Sequence, residues 1–376
     1  MRERICLSDF LGDFVVYRNL EPADSRLRGL AAIRGEMGLP ANRLPRKTEP
    51  AYAAVVVNLL RQAQSARGAG QRLERLLYIG DTRLNDGTAA RNLGQHLPMR
   101  AFIGEDKLQE PARLERQAEF VFANRWAALG DFLRLTQEQG FALDASTVVV
   151  IDLDKTALGA RGRNDKPIDQ ARVDAALDIA RSTFGSDLGL ETFRPIYDEL
   201  HKPAYHFITT DNQDYLVYIS LMASAGVYAG DRLLTDLQAR RLGTFDEFVT
   251  LCDERLRSGD FAALCPIHEE VMSNVRRGDP TPFKSFRYRE YECTLARMDA
   301  LPDDTPRERL LAQEITVTRE VADVALELRR QGALTFGLSD KPDEASVPRP
   351  ELARKGYLPL HRVTMKVTSF DAHSEK

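Results

Sequence analysis

With 376 residues, the chain exceeds the usual size of a single domain, so we expect two domains or a core with a large insertion. A net charge of −4 gives no general attraction to nucleic acid or to an anionic membrane, and no apolar stretch approaches the ~20 residues of a membrane helix. The four cysteines are widely scattered, which predicts reduced thiols and a cytoplasmic location.

The first third of the chain alternates between helix and strand patterns. A helix is predicted from Pro50 to Gln64, with Thr48 as its N-terminal cap and proline in its first turn. Leu76–Ile79 is a short apolar strand, and Met99–Ile103 is predicted to be another strand after the helix at 88–93. This alternation is typical of a parallel, doubly wound sheet.

The next segments extend that pattern. Ala118–Gln139 is predicted to be a helix, and the β-branched run Thr147–Ile151 a buried strand. Near the end of the chain, Thr318 is expected to cap an amphipathic helix that stops at Gly332, and the strand Ala333–Leu338 follows directly.

The middle of the chain differs in pattern. Helical stretches dominate between residues 157 and 304, and Tyr205–Ile208 is the main strand candidate there. An insertion of this length is too long for a loop, so we expect a domain of its own. The predicted organisation is a sheet-forming core at 1–156 and 315–376, interrupted by a mostly helical domain at 157–314.

Polar side chains follow three of the predicted strands. Asp152 and Asp154 follow Thr147–Ile151, while Asp81 follows Leu76–Ile79 with Asp86 five residues later. The strand that ends at Leu338 is followed by Ser339. Open α/β sheets bind their ligands at the carboxyl ends of the strands, so these residues are candidates for one site.

The chemistry of this set suits phosphoryl transfer. Carboxylate oxygens are the ligands that Mg²⁺ prefers, usually together with substrate phosphate. One carboxylate can act as a nucleophile that forms an aspartyl-phosphate, and a second can protonate the leaving group. The phosphoryl oxygens also need positive charge and hydroxyl donors, which Lys47 and Ser339 can supply.

The four motifs together resemble those of the haloacid dehalogenase (HAD) superfamily. Asp152-Leu153-Asp154-Lys155-Thr156 resembles the first motif, D-x-D-x-T, and the strand that ends in Ser339 resembles the second. Lys47, ahead of the Pro50 helix, resembles the lysine of the third motif, and Gly80-Asp81 with Asp86 resembles the fourth.

The resemblance implies a role for each residue. Asp152 would be the nucleophile and Asp154 the general acid and base. Ser339 and Lys47 would hold the phosphoryl group. The Mg²⁺ ligands would be Asp152, Asp154, Asp81 and Asp86. Thr156 belongs to the first motif, and Arg161 and Arg163 follow it, so these three are candidates for substrate binding.

The chain departs from the family in two respects. Its motifs run three, four, one and two, which a circular permutation of the core explains, with the helical insertion in the position of the family's first type of cap. Lys155 stands where the family often has glycine. The lysine of the third motif also has alternatives, because Lys341, Lys355 or Lys366 could fill that role.

The fold expected from this resemblance is α/β, a Rossmann-like parallel sheet of HAD type with a helical cap. The expected activity is Mg²⁺-dependent hydrolysis of a small phosphorylated metabolite. A phosphomutase, a dehalogenase, or a catalytically silent module that only binds phosphate or regulates are the alternatives. A dinucleotide-binding protein is disfavoured because no G-x-G-x-x-G follows any strand. The sequence does not indicate the oligomeric state.

Several other patterns have ordinary structural explanations. Each D-x-D or G-D pattern alone also occurs in turns. Cys265 and His268 have a C-x-x-H spacing but no second pair to complete a zinc site. The basic and aromatic run at 284–291 resembles nucleic-acid surfaces, although an amphipathic part of the helical domain explains it as well.

Overall fold

The computed structural model describes residues 2–41, 43–68, 70–185, 188–258 and 261–370. The strands are β1 (Arg4–Ile5), β2 (Val15–Val16), β3 (Arg75–Gly80), β4 (Met99–Gly104), β5 (Leu114–Gln117), β6 (Phe120–Ala123), β7 (Thr147–Asp152), β8 (Val317–Thr318), β9 (Leu334–Leu338) and β10 (Met365–Thr368).

The helices fall into three groups along the chain. Before the helical segment they are α1 (Ser8–Leu11), α2 (Leu30–Ile33), α3 (Pro50–Ala66), α4 (Asn85–Gly94) and α5 (Leu129–Glu138). The middle of the chain contains α6 (Lys166–Phe184), α7 (Leu188–Leu200), α8 (His206–Thr209), α9 (Gln213–Ser224), α10 (Gly230–Gln238), α11 (Phe245–Ser258), α12 (Cys265–Arg276) and α13 (Lys284–Leu295). The last are α14 (Arg307–Gln313), α15 (Arg319–Arg330) and α16 (Pro350–Ala353).

A seven-stranded sheet has the strand order β2-β9-β7-β3-β4-β6-β5. All neighbouring strands are parallel except the edge pair β5–β6, which forms an antiparallel hairpin. The central strand β7 is buried along its whole length, as expected for a parallel strand that is covered on both faces. Helices α3 and α4 contact each other, α1 and α5 contact α15, and both groups pack on the sheet. The predicted α/β class with a mostly parallel sheet is confirmed.

A smaller sheet joins the two ends of the described chain. Its order is β1-β10-β8, and β1 pairs antiparallel with β10 so that Arg4 lies opposite Lys366. Strand β8 pairs in parallel with β10.

The described chain divides into two compact units. One contains residues 45–170 with the chain before residue 42 and after residue 293, and holds both sheets. The other contains 42–44 and 171–293. The main segment of the second unit therefore spans 171–293, compared with the insertion at 157–314 expected from the sequence.

The second unit is built around buried aromatic side chains. Tyr218 packs its ring edge-on against Phe248, and the fully buried Phe283 packs against Phe286. The Arg287 guanidinium is buried in this unit between Asp214 and Glu290, with contacts of 2.6 Å to each. Among the described residues, no helix has the length and apolarity needed to cross a membrane.

One of the predicted helices is largely wrong. Only Leu129–Glu138 of the segment Ala118–Gln139 is α-helical, whereas Phe120–Ala123 forms β6 in parallel register with β4. Ala118 has a positive φ of 51° in the β5–β6 turn, which a continuous helix cannot contain. A four-residue apolar run fits a buried strand as well as a helix, so periodicity could not separate the two.

Three smaller predictions are also corrected. Tyr205–Ile208 is not a strand, because it lies in a 3₁₀ turn and the short helix α8. The N-cap of α3 is Glu49 rather than Thr48, and its side chain makes no capping bond. Thr318 is the N-cap of α15, but its hydroxyl donates to the Thr156 carbonyl at 2.6 Å instead of capping the helix.

Candidate functional site

Three neighbouring strands end at the same edge of the large sheet. Strand β7 lies between β9 and β3, with Asp152 opposite Leu338 in the register. Asp81 follows the last residue of β3, and Ser339 follows the last residue of β9. The parallel arrangement therefore brings residues from three distant parts of the sequence to one edge.

The Lys47 side chain connects the end of β7 to the first turn of α4. Its Nζ lies 2.6 Å from Asp152 Oδ1 and 2.6 Å from Asp86 Oδ1, and all three side chains are buried. Lys47 is therefore the lysine that contacts Asp152. Of the alternatives, Lys366 is buried in ion pairs with Asp299 and Glu314.

The carboxylate of Asp86, in the first turn of α4, is saturated with hydrogen bonds. Its Oδ1 accepts from Lys47 and from the Tyr78 hydroxyl at 2.9 Å. Its Oδ2 accepts from the Asp81 N–H at 3.2 Å, and from the Thr82 N–H and hydroxyl at 2.9 and 2.6 Å. Five donors occupy the roughly four lone-pair sites of this carboxylate, so direct binding of a metal to Asp86 would have to displace at least one of them.

Gly80 is required by the position of Asp86. A Cβ atom at Gly80 would lie 2.6 Å from Asp86 Cγ and 2.7 Å from Asp86 Cβ, closer than real carbon contacts allow. Only glycine therefore lets the turn after β3 bring the Asp81 and Thr82 amides to the Asp86 carboxylate. This is a physical reason for the Gly-Asp pair at this strand end.

Arg161 pairs with Asp81. The Arg161 Nε donates to Asp81 Oδ2, and its side chain is one-third exposed while that of Asp81 is buried. The loop that carries Arg161 packs on the core through Gly162, whose φ is 79° and whose added Cβ would lie 2.0 Å from the Asp106 carbonyl. The Asp106 N–H donates to the Arg161 carbonyl at 2.9 Å. Glycine at 162 thus fixes the loop that presents Arg161.

The surroundings shift the pKa values of the three carboxyl groups in different directions. Burial opposes ionisation of Asp86, but Lys47 and the other donors hold its pKa well below the ordinary range. Burial raises the pKa of Asp152 to about 7, against the attraction of Lys47. Burial and the charges of Asp152 and Asp86 raise the pKa of Asp81 to about 9, although Arg161 opposes this. In the absence of another cation, Asp86 is therefore the group that remains ionised most firmly.

The pKa of Lys47 shifts in the direction opposite to the one that burial alone would cause. Desolvation would lower the pKa of Lys47, but the charges of Asp152 and Asp86 raise it well above its ordinary value. The ammonium therefore stays protonated at neutral pH and provides a permanent positive charge beside Asp152.

Asp154 and Ser339 line a small cavity of about 10 Å³ in the same unit. Lys341 also lines it, with its Nζ 3.9 Å from Asp154 Oδ1 and its N–H donating to Ser339 Oγ at 3.1 Å. Asp154 is not among the three carboxylates that approach one another closely enough to share a metal. The expectation that its side chain belongs to the metal set is therefore not supported by this arrangement.

The fourth and fifth positions of the first motif have local explanations. Lys155 has a positive φ of 64°, a conformation in which glycine is the least strained residue. Its ammonium contacts Asp169 at 2.8 Å, away from the carboxylate cluster. Thr156 is fully buried, and its carbonyl accepts the hydroxyl of Thr318.

The surroundings of Arg163 do not favour the substrate role expected from the sequence. The side chain is only 2% exposed and its guanidinium contacts Asp106 at 2.7 Å and Glu320 at 2.8 Å. It also donates to the Thr368 carbonyl at 3.3 Å. Arg163 thus fastens the loop after β7 to the core, and Arg161 is the arginine of this loop that reaches the carboxylates.

The donor set fits a hard divalent cation. One oxygen from each of Asp81, Asp86 and Asp152 lies within 4.8 Å of the others. Oxygen donors of this kind suit Mg²⁺, which keeps several waters and takes one or two carboxylates directly. Because Asp86 is saturated, Asp81 and Asp152 are the candidates for direct ligands, and Asp86 contributes negative charge.

Sequence reasoning missed three participants. Tyr78 and Thr82 hold Asp86 through hydrogen bonds. Their positions in the sequence could have indicated them, because Tyr78 shares a face of β3 with Gly80 and Thr82 directly follows the Gly-Asp pair. Tyr52, in the first turn of α3 after Lys47, is 1% exposed, and its hydroxyl has no hydrogen-bond partner within the described chain. No pattern in the sequence indicated Tyr52.

The two ring nitrogens of His268 are engaged in the helical unit. They contact the Tyr218 hydroxyl at 2.6 Å and Asp253 at 3.3 Å. The Sγ atom of Cys265 donates to the Phe261 carbonyl. These contacts explain the positions of Cys265 and His268 without a bound metal.

No protein-family model matches this chain, and neither a curated protein nor a solved structure matches it significantly.

The contact between Gly80 and Asp86 predicts the result of adding one methyl group. Gly80→Ala should lower the free energy of unfolding by about 1–3 kcal/mol, because the Asp86 side chain must leave its five donors. The measurement is urea unfolding followed by the fluorescence of Trp126, the single tryptophan, which is buried in the same unit.

The matched control is Gly87→Ala in α4, where a Cβ would approach nothing closer than the end of Arg91 at 4.0 Å. This variant should be neutral or stabilised by up to ~1 kcal/mol. Equal stability of the Gly80 and Gly87 variants would contradict the steric role of Gly80.

The raised pKa of Asp81 predicts a pH-dependent stability of the metal-free protein. Folded Asp81 titrates at about 9 and the ordinary value is 3.8, so between these values the folded state holds a proton that the unfolded state has lost. Stability is therefore lost as pH rises through this window. For Asp81→Asn, the free energy of unfolding relative to wild type should increase from about pH 5 to pH 8 in EDTA.

Asp24→Asn provides the control for this series. The hydrogen bond from Arg26 holds the pKa of Asp24 below its ordinary value, so its contribution should change only in more acidic solution. A constant difference between Asp81→Asn and wild type across the same pH range would show that burial of Asp81 does not oppose its ionisation.

Proposed function

We propose that this protein is a Mg²⁺-dependent phosphohydrolase with a circularly permuted HAD-type core, acting on a small phosphorylated metabolite through an aspartyl-phosphate at Asp152. The observation that carries the proposal is the contact of Lys47 with both Asp86 and Asp152, residues 39 and 105 positions away in the sequence. A motif set that matched by chance would have no reason to meet in space.

The arrangement suits a buried nucleophile. Asp152 is held at a strand end by Lys47, which is protonated and aligned before any substrate binds. In the proposed reaction, a carboxylate oxygen of Asp152 bonds to phosphorus while the bond from phosphorus to the leaving oxygen breaks. Water then attacks the phosphorus of the aspartyl-phosphate, which releases inorganic phosphate and restores the carboxylate.

Asp154 is the candidate for proton transfer. It lies two residues beyond Asp152, and it shares the small cavity with Ser339 and Lys341. In this role Asp154 gives a proton to the leaving oxygen in the first step and takes one from the attacking water in the second. Ser339 and Lys341 supply a hydroxyl and a positive charge on the same side.

The metal has a defined part in this proposal. Mg²⁺ bound near Asp81 and Asp152 would neutralise negative charge on the carboxylates and on the phosphoryl oxygens. Arg161 now pairs with Asp81, so binding of the cation requires this ion pair to loosen.

The pairing of β1 with β10 supports a permuted core. Arg4 lies opposite Lys366 in an antiparallel pair, so a short turn could join the chain after β10 to the chain before β1. The turn between α5 and β7, around Gly140, would then supply the ends of a chain whose motifs run one, two, three and four.

Replacement of the nucleophile tests the function. Asp152→Asn should reduce Mg²⁺-dependent hydrolysis of p-nitrophenyl phosphate by on the order of 10³-fold or more, because the amide cannot form the acyl-phosphate. EDTA should abolish the wild-type turnover. The measurement is the steady-state rate of p-nitrophenol release, with fold checked by Trp126 fluorescence.

The control is Asp131→Asn, which changes an exposed carboxylate in α5 that pairs only with Arg134 within the described contacts. It should retain wild-type turnover. Hydrolysis that survives in Asp152→Asn, or that EDTA leaves unchanged, would contradict the proposed mechanism.

A rearranged chain tests the permutation. In the first variant, the chain begins at Phe141, a short glycine-serine linker joins the segment after β10 to Arg2, and the chain ends at Gly140. This variant should fold and hydrolyse the same phosphate. A second variant with the same linker, opened inside the buried strand β4, should not fold. Failure of the first variant to fold would contradict a permuted core whose two terminal strands can be joined.

A further inference from the structure

A larger cavity of about 580 Å³ opens beside the carboxylate cluster, within the unit that contains the large sheet. Asp81 forms part of its wall, so the cavity adjoins one of the two candidate metal ligands.

The cavity lies at the carboxyl edge of the sheet. Ile103 and Gly104 end β4, Phe122 and Ala123 end β6, and Asp81 follows β3. All three strands are parallel, and ligands of open α/β sheets bind outside these strand ends. The volume is within the range of small-molecule sites.

The charges of the wall are balanced. Arg83 contacts Glu115 at 2.8 Å, and Lys107 contacts Glu105 at 2.7 Å. Arg113 pairs with Glu110, which lies outside the wall. A second strongly anionic group of a ligand would therefore meet cations that are already neutralised, with the carboxylates of Asp81, Glu105 and Glu115 close by.

The same pairs suit hydroxyl groups. A hydroxyl can donate to a carboxylate such as that of Glu115 and accept from a guanidinium such as that of Arg83. Ile103, Leu114 and Phe122 line the cavity and provide apolar surface for carbon-bound hydrogens, and the Arg83 guanidinium lies 3.9 Å from the Phe122 ring centre. A purely apolar ligand would bury these ion pairs without making hydrogen bonds to them.

We propose that this cavity binds the polyhydroxylated part of the substrate, so that the substrate is a sugar or polyol phosphate. The inference rests on the proposed phosphohydrolase function and adds the class of the leaving group. It also assigns Arg83 and Glu115 as residues that determine specificity, located in the core unit rather than in the helical unit.

The test compares four phosphates. Wild type should hydrolyse sorbitol 6-phosphate and glucose 6-phosphate with higher kcat/KM than p-nitrophenyl phosphate or phosphoserine. Arg83→Ala and Glu115→Ala should each lower the ratio of kcat/KM for sorbitol 6-phosphate to that for p-nitrophenyl phosphate by about tenfold, the scale of a lost hydrogen bond to a charged group. Both side chains are more than half exposed, so their removal should not prevent folding.

The matched control is Arg134→Ala, which removes an equally exposed arginine from the 2.6 Å ion pair with Asp131 on α5. Its ratio should equal that of wild type. A ratio unchanged in both cavity variants, or a wild type that prefers phosphoserine or p-nitrophenyl phosphate, would overturn the polyol assignment while leaving the phosphohydrolase function in place.

A binding measurement separates the two proposals. Titration of sorbitol 6-phosphate into Asp152→Asn protein by calorimetry should show binding that Arg83→Ala in the same background weakens about tenfold. If wild type hydrolyses none of the four phosphates, the phosphohydrolase function is overturned. In that case, equal affinity of the Asp152→Asn protein and the Asp152→Asn, Arg83→Ala double variant for sorbitol 6-phosphate would overturn the cavity assignment as well.

Discussion

The structure of the site depends on the burial of three carboxyl groups within 4.8 Å of one another. Like charges at this spacing repel strongly in a protein interior, and desolvation adds to the cost. Two cations offset it, because Lys47 contacts Asp86 and Asp152 while Arg161 contacts Asp81. Glycine at position 80 makes room for the Asp86 side chain, and the donors around Asp86 stabilise its buried charge. The cluster therefore needs additional positive charge, which a bound metal ion could supply.

The two aspartates that follow β3 have different tasks. Asp86 receives five hydrogen bonds and fixes the Lys47 ammonium, whereas the Asp81 carboxyl group contacts the guanidinium of the partly exposed Arg161. The first is a positioning residue and the second can exchange its partner for another cation. In the proposed function, the cavity that Asp81 lines would let the core unit recognise a leaving group through its own residues.

Much of this site could be predicted from the sequence because parallel strands carry consecutive residues to a common edge. Buried strands ending in Asp152, Gly80 and Leu338 were recognisable from apolar runs, and Lys47 stood out as an isolated lysine before a helix. Side-chain partners were not recognisable. Arg163 and Arg161 have the same local pattern, yet only tertiary contacts with Asp106 and Glu320 bury the former. Phe120–Ala123 was assigned to a helix because four apolar residues carry no distinguishing period.

The most direct test of the account is whether Asp152 can carry a phosphoryl-like group beside a bound cation. Beryllium trifluoride mimics a phosphoryl group on a carboxylate, and its fluorine-19 NMR spectrum distinguishes bound from free species. The account predicts bound resonances in wild-type protein that require Mg²⁺ and that disappear in Asp152→Asn and Asp81→Asn. Bound resonances that persist in Asp152→Asn, or a wild-type spectrum identical with and without Mg²⁺, would contradict the assignment of this cluster as a metal-assisted phosphoryl-transfer site.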